Sequence, residues 1–282
     1  MISLSIALHE GDRALSPVAL VEREAAGDAS MPILRFLLAS LGLLTATRSA
    51  AGPGDPPPYA AAFDKAFVPG FAVTARDEYK GETRVETVPF RVVEAGALKL
   101  PSGRISVADP FVFLTEAKPL AQQVPAGTFP VRLAVADFPS GGLRVAFARV
   151  DFRRAPIARW SMAVTEGQDV STLKDDEIFG YGVDAGTGSF FDPLAGKAAA
   201  ALLEADPDAW EAWQTKGEAN GSKVVGPYFF LLDQPLGEAN VIMFGSGWGD
   251  GFYASWFGYD ADGNVATLVT DFATIDWNTA TW

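Results

Sequence analysis

Two aspartates stand among glycines at spacings that an ordinary strand does not need. Gly245-Ser246-Gly247-Trp248-Gly249-Asp250-Gly251 alternates glycine with larger residues around Asp250, and Gly180-Tyr181-Gly182-Val183-Asp184-Ala185-Gly186-Thr187-Gly188 does so around Asp184. Glycine inside a strand costs conformational entropy unless a second backbone or a ligand must come close. A carboxylate on such a turn can reach into a cleft. Two of them divide general-acid and general-base roles, or share a hard cation such as Ca²⁺ or Mg²⁺. Asp184 and Asp250 are therefore candidate catalytic and metal-binding residues, with Arg159 as a cation to pair with one of them and Asp109 as a further carboxylate. Gly186, Gly188, Trp248, Gly249 and Tyr253 are candidate ligand-binding positions, and Trp248, Tyr253 and Trp256 are aromatics suited to lining a groove for a sugar, peptide or protein. Turn aspartates also accept bonds from backbone amides, and large aromatics also fill cores. Both readings stay open beside the functional ones.

Composition narrows the chemistry. The 282 residues include no cysteine, which excludes thiol catalysis, disulfides and thiolate metal sites. The single histidine is His9, so loss of the N-terminus would leave no imidazole for a Ser-His-Asp triad or a histidine metal site. The formal net charge of −13 disfavours nucleic acid and anionic lipid as partners. Two classes of function remain: a binding or interaction module for a protein, peptide or carbohydrate, and a carboxylate-based hydrolase using Asp184 and Asp250, either without a cofactor or with Ca²⁺ or Mg²⁺.

The elements that must position these residues read mostly as strands. With 28 glycines, 19 prolines and 12% aromatics, the chain has the makings of short strands separated by many turns. Arg84–Val93 reads as a strand ended at Gly96, and Pro101-Ser102-Gly103 as a turn. FPVRLAVADF and LRVAFARVDF flank Pro139-Ser140-Gly141-Gly142 as a hairpin. Tyr59–Phe67 is a short helix candidate. Asp192-Pro193 opens the main helical segment, near 192–216, with aspartate as N-cap and proline at the first helical position. PYFFLLD, NVIMFGSG, GFYASWFGYD and NVATLVTDF follow as four strands, the third apolar on both faces and so central. Asp260-Ala261-Asp262-Gly263-Asn264 lacks the spacing and closing glutamate of an EF-hand and reads as a hairpin turn. The expected fold is a β-rich α+β single domain with antiparallel, sandwich-like sheets over 59–282.

Several of these stretches together resemble a bacterial family. LPSGRISVADP (100–110), FPVRLAVADF (129–138), RWSMAV with GQD (159–169), FGYGVDAGTGSFFD (179–192) and the run from Asn240 to Phe272 are similar to the proteins grouped as domain-of-unknown-function family 4241. The resemblance spans residues 83–272. It implies a shared fold and brings no activity with it.

The N-terminal part carries a separate signal. Arg35, the apolar run Phe36–Leu44 and the small residues Ser49–Ala51 follow the order of a secretory signal peptide, and the run is too short to span a bilayer. Residues 1–30 then form a non-native or disordered extension, with Met31 as initiator, and 52–58 a Pro/Gly linker. The expected location is periplasmic or secreted, or cytoplasmic if 31–51 is not a signal. N-terminal sequencing of the native protein should find a start close to Ala50, Ala51 or Gly52. A native chain beginning at Met1 would overturn export.

Overall fold

A computed structural model describes residues 52, 54–79, 82–174, 177–221 and 231–282; His9, Met31, the apolar run Phe36–Leu44 and the first part of the PYFFLLD strand (227–230) lie outside them. In chain order the elements are α1 (Ala62–Lys65), β1 (Ala72–Tyr79), β2 (Glu82–Leu100), β3 (Ser106–Ala108), β4 (Gly127–Phe138), β5 (Gly142–Asp151), β6 (Arg159–Met162), β7 (Tyr181–Val183) and β8 (Thr187–Phe191). There follow α2 (Pro193–Ala205), α3 (Pro207–Gly221), β9 (Leu231–Leu236), β10 (Ala239–Gly245), β11 (Gly251–Tyr253), β12 (Ser255–Tyr259) and β13 (Val265–Asp271). Among the described residues no helix is long and apolar enough to cross a membrane.

The strands form a seven-stranded sheet in the order β1-β2-β4-β5-β13-β12-β6, a four-stranded sheet β3-β8-β10-β9, and a ribbon β11-β7, with antiparallel pairing throughout. Side-chain alternation sorts each strand between layers. In β4, Val131, Leu133 and Val135 face the four-stranded sheet and share a core with Phe190, Ile242 and Phe244. Ala134, Ala136 and Phe138 face the other way, into a second core with Phe63, Trp256 and Trp277. In β10, Val241 and Met243 turn outward and are covered by Ala195 and Ala199 of α2 and Trp210 of α3. This is a sandwich-like α+β fold with helices outside one sheet and terminal segments outside the other. Phe190, Phe191, Phe244 and Phe257 are fully buried, each worth roughly 2–3 kcal/mol of removed apolar surface.

Local chemistry explains the joints. Asp192 has no exposure. Its Oδ1 accepts from the Leu194 amide at 2.9 Å, capping α2, and its Oδ2 accepts from the Ser102 amide and hydroxyl, each at 2.8 Å. The helix start is thereby tied to the Pro101–Gly103 turn. Asp206-Pro207 repeats the device at α3, Asp206 accepting from the Ala209 amide. Gly96 does not end a strand. It is a bulge inside β2 with φ +131°, and a Cβ there would lie 2.9 Å from both Asp233 and Ile242, so its absence lets the second sheet approach. GFYASWFGYD also departs from expectation: it divides at Ala254, its first part pairing with β7 and its second with β6 and β13. The Asp260–Asn264 turn is as expected, with Gly263 at φ +79° and Asp260 Oδ1 accepting from the amides of Asp262 and Asn264. Those bonds hold the Asp260 carboxyl below the usual range.

The outer face of the seven-stranded sheet is covered by the first and last described segments. Arg149 donates to the Phe63 carbonyl and to Asp64 in α1, at 3.2 and 2.7 Å. Tyr59 stacks on Trp277 at 5.3 Å, and Trp277 on Phe147 at 5.8 Å. Beneath this stack the Tyr59 hydroxyl donates to Asp271 Oδ2 at 2.9 Å, and Asp271 Oδ1 accepts from the Ala273 amide at 2.8 Å. Burial nevertheless pushes the Asp271 carboxyl up to about 6. A carboxyl with a raised folded-state pKa contributes stability that is complete below its unfolded pKa and is lost as pH rises through the folded value. Asp271→Asn keeps the shape without the charge. Measured by urea denaturation, the stability of the variant relative to wild type should therefore rise by roughly 2–3 kcal/mol between about pH 4 and about pH 7.5. A difference that stays flat with pH would contradict this.

Candidate functional site

The two glycine motifs lie side by side. β8 and β10 pair Gly188 with Phe244 and Thr187 with Gly245, and the Ser246 amide continues the ladder to the Gly186 carbonyl at 3.1 Å. β7 and β11 pair Val183 with Gly251 and Gly182 with Phe252. The loops 184–186 and 246–250 thus leave two adjacent ladders together. The glycines serve this junction in two ways. At Gly180 a Cβ would sit 2.2 Å from the Tyr253 carbonyl oxygen, and at Gly188 it would sit 2.7 Å from the Tyr181 hydroxyl and 3.0 Å from the Phe272 ring. These positions are crowded. Gly186 and Gly249 are not; they are required for their φ of +62° and +114°, which side chains rarely adopt. Gly247 needs both, with φ +63° and a Cβ position 2.7 Å from Thr274.

The loops are pinned from beneath. Asp109 has no exposure; its Oδ2 accepts from the amides of Asp184 and Ala185 at 3.0 and 2.6 Å, and its Oδ1 from the Phe111 amide at 3.0 Å. Burial raises the Asp109 carboxyl against the opposing pull of these three amides, and the charge of Asp250 adds to the rise. Asp250 Oδ1 accepts from the Gly186 amide at 2.9 Å, joining one loop to the other. Inside the second loop the Ser246 hydroxyl donates to the Gly249 carbonyl at 2.8 Å, and so does the Tyr253 hydroxyl, also at 2.8 Å. Burial, then the charge of Asp250, pushes the Tyr253 phenol up to about 12.

The sequence candidates separate accordingly. Asp184, Ala185 and Asp250 are exposed, and the Asp184 carboxylate has no partner among the described residues. Trp248 is 53% exposed; its ring lies beside Phe138 at 5.2 Å and under the Arg144 guanidinium at 4.6 Å, and its Nε1 donates to the Thr274 carbonyl at 3.3 Å. Asp109, Tyr253 and Gly188 are buried in the support instead of facing solvent, and Trp256 lies in the second core. Arg159 pairs with neither aspartate: it opens β6, at the far edge of the seven-stranded sheet, and its guanidinium lies 3.7 Å over the Tyr259 ring. Among the described residues no three acidic or imidazole groups gather closely enough to hold a metal ion. Sequence reading misses Val112 and Phe113, which are 42% and 37% exposed beside the ribbon. The available signal is Phe111-Val112-Phe113-Leu114, an apolar run placed just after a short strand and an Asp-Pro turn.

A family model described as a protein of unknown function (DUF4241) matches residues 98–270, which include both loops. No curated protein and no solved structure matches the chain.

The division between supporting and presenting aspartates is measurable. Asp109→Asn turns one acceptor into a donor facing a backbone amide and should cost about 1–3 kcal/mol of stability. Asp184→Asn should stay within about 0.5 kcal/mol of wild type. Equal losses for the two variants in urea denaturation would contradict the assignment.

Proposed function

The chain belongs to the DUF4241 family, and we propose that this member is a binding or interaction module that presents the paired loops 184–186 and 246–250 to a protein, peptide or carbohydrate. The observation that carries the reading is the contrast between support and surface. Buried Asp109 and Tyr253 fix both loop backbones, while Asp184, Asp250 and Trp248 remain exposed on them. A surface ordered in advance loses little entropy on binding, and a rigid aromatic beside polar groups is a common anchor. Export, expected from the 31–51 segment, belongs to the same proposal.

One observation favours a second reading. Asp184 and Asp250 reach the same loop pair, Asp250 bonding the amide two residues beyond Asp184. That arrangement supports a carboxylate-based hydrolase or a Ca²⁺ or Mg²⁺ site built on these two residues, without Arg159. Panels of peptides, proteins and oligosaccharides, screened with wild type, Trp248→Ala and the double variant Asp184→Asn/Asp250→Asn, separate the readings. A binding module predicts at least one ligand whose affinity falls by about tenfold or more in these variants at unchanged melting temperature. Wild-type melting that rises with Ca²⁺ or Mg²⁺, and does not in the double variant, favours the second reading. If every ligand found binds wild type and variants alike, the loop pair is not the binding surface.

A further inference from the structure

The chemistry of a partner can be read from the surface beside the loops. Building on the binding-module reading, we infer that the partner is a cationic polypeptide that sets an apolar side chain against Phe113. The turn after β3 puts Val112 and Phe113 into solvent at 42% and 37% exposure. Phe113 lies over the position where Gly182 lacks a side chain, its ring 3.8 Å from where a Cβ would be. Phe252 is the cross-strand partner of Gly182, so its half-buried ring points to the same side of the β7–β11 ribbon. Phe113 and Phe252 therefore lie on one face of the ribbon, and the exposed Val112 adjoins Phe113 in the same turn, so the three make an apolar strip open to solvent at Val112 and Phe113.

Acids border the strip. Asp184 and Asp250 stand at the end of the ribbon, exposed, and the exposed Glu116 belongs to the same turn as Phe113, its amide bonded to the Phe113 carbonyl. Lys118 follows two residues on, and Arg144 sits beyond Trp248, so the border is acidic on the ribbon side and not all round. The whole chain reinforces this border with a net charge of −13. A field of that sign concentrates cations near the face and speeds their encounter, while the apolar strip supplies the buried anchor that charge alone lacks. An anionic partner would meet repulsion at both ranges.

Fluorescence anisotropy on the full chain tests this with three labelled peptides of equal length: one alternating Lys and Leu, one alternating Lys and Ser, and one alternating Glu and Leu. The Lys/Leu peptide should bind tightest, and raising salt should weaken it. Phe113→Ser should weaken it by about tenfold or more, with Phe113→Leu restoring most of the loss, at melting temperatures close to wild type. Asp184→Asn/Asp250→Asn should weaken it and flatten its salt dependence. Equal binding of the Lys/Ser peptide, binding that Phe113→Ser leaves intact, or preference for the Glu/Leu peptide would each overturn the inference. A neutral or anionic ligand that depends on Trp248 and the two aspartates would overturn it too while leaving the binding module standing. Loss of every dependence on these residues would remove both.

Discussion

A sheet that is apolar on both faces has to be covered twice, and the arrangement of this chain follows from that requirement. The seven-stranded sheet sends Val131, Leu133 and Val135 one way and Ala134, Ala136 and Phe138 the other. The four-stranded sheet answers the first set and is itself two-faced, so α2 and α3 must lie outside it. The second set is answered by α1, Tyr59 and Trp277. Carboxylates that enter these layers do so with partners, as Asp192 and Asp271 do, whereas the buried hydroxyl of Ser106 has none among the described residues. Exposed polar and aromatic groups are left to the places where strands end. The β7–β11 ribbon and the loops beyond it are the ends at which exposed aromatics, carboxylates and tightly held backbone coincide.

That coincidence rests on a division of labour among aspartates of the same type. Asp109 gives its accepting capacity to three amides and never meets solvent. Asp250 gives one oxygen to Gly186 and remains an exposed residue. Asp184 gives none. The gradient from wholly structural to wholly available runs across three aspartates of one loop junction, and it leaves exposed carboxylates on an ordered backbone.

Much of this is legible in the sequence because glycine and aspartate leave physical traces. Alternating glycines in GSGWGDG and GYGVDAGTG mean close backbones or positive φ, and the structure contains both, at Gly180 and Gly188 for crowding and at Gly186 and Gly249 for conformation. The Asp-Pro helix start, the Pro139–Gly142 hairpin and the Asp260–Asn264 turn are local and follow from turn chemistry. The features that sequence misses depend on the third dimension. Charge alone pairs Arg159 with an aspartate, yet the register sets it opposite Tyr259, at the end of β12 farther along the chain from β11. The break at Ala254 is invisible in a run whose apolar alternation continues through it, because the partner strands change while the periodicity does not. Trp248, Tyr253 and Trp256 look equivalent as letters, and only packing sends the first to the surface and the others inside. Phe113 belongs to an apolar run that the sequence does show, but its place on the ribbon does not follow from that run, because its seat is made by a glycine in another strand.

The cover on the outer face of the seven-stranded sheet has a consequence for the order of events during folding. Tyr59 and Asp271 meet across 212 residues of chain, and β1 is bridged to the tail at Thr281. Contacts of such separation carry the largest loop-closure cost and form only after nearer pairings, such as the β4–β5 hairpin, have shortened the effective loop. On a ribosome the second core cannot close until the last tryptophans have been synthesised. Up to that moment the outer face of the sheet lacks the part of its cover that Trp277 and the tail supply.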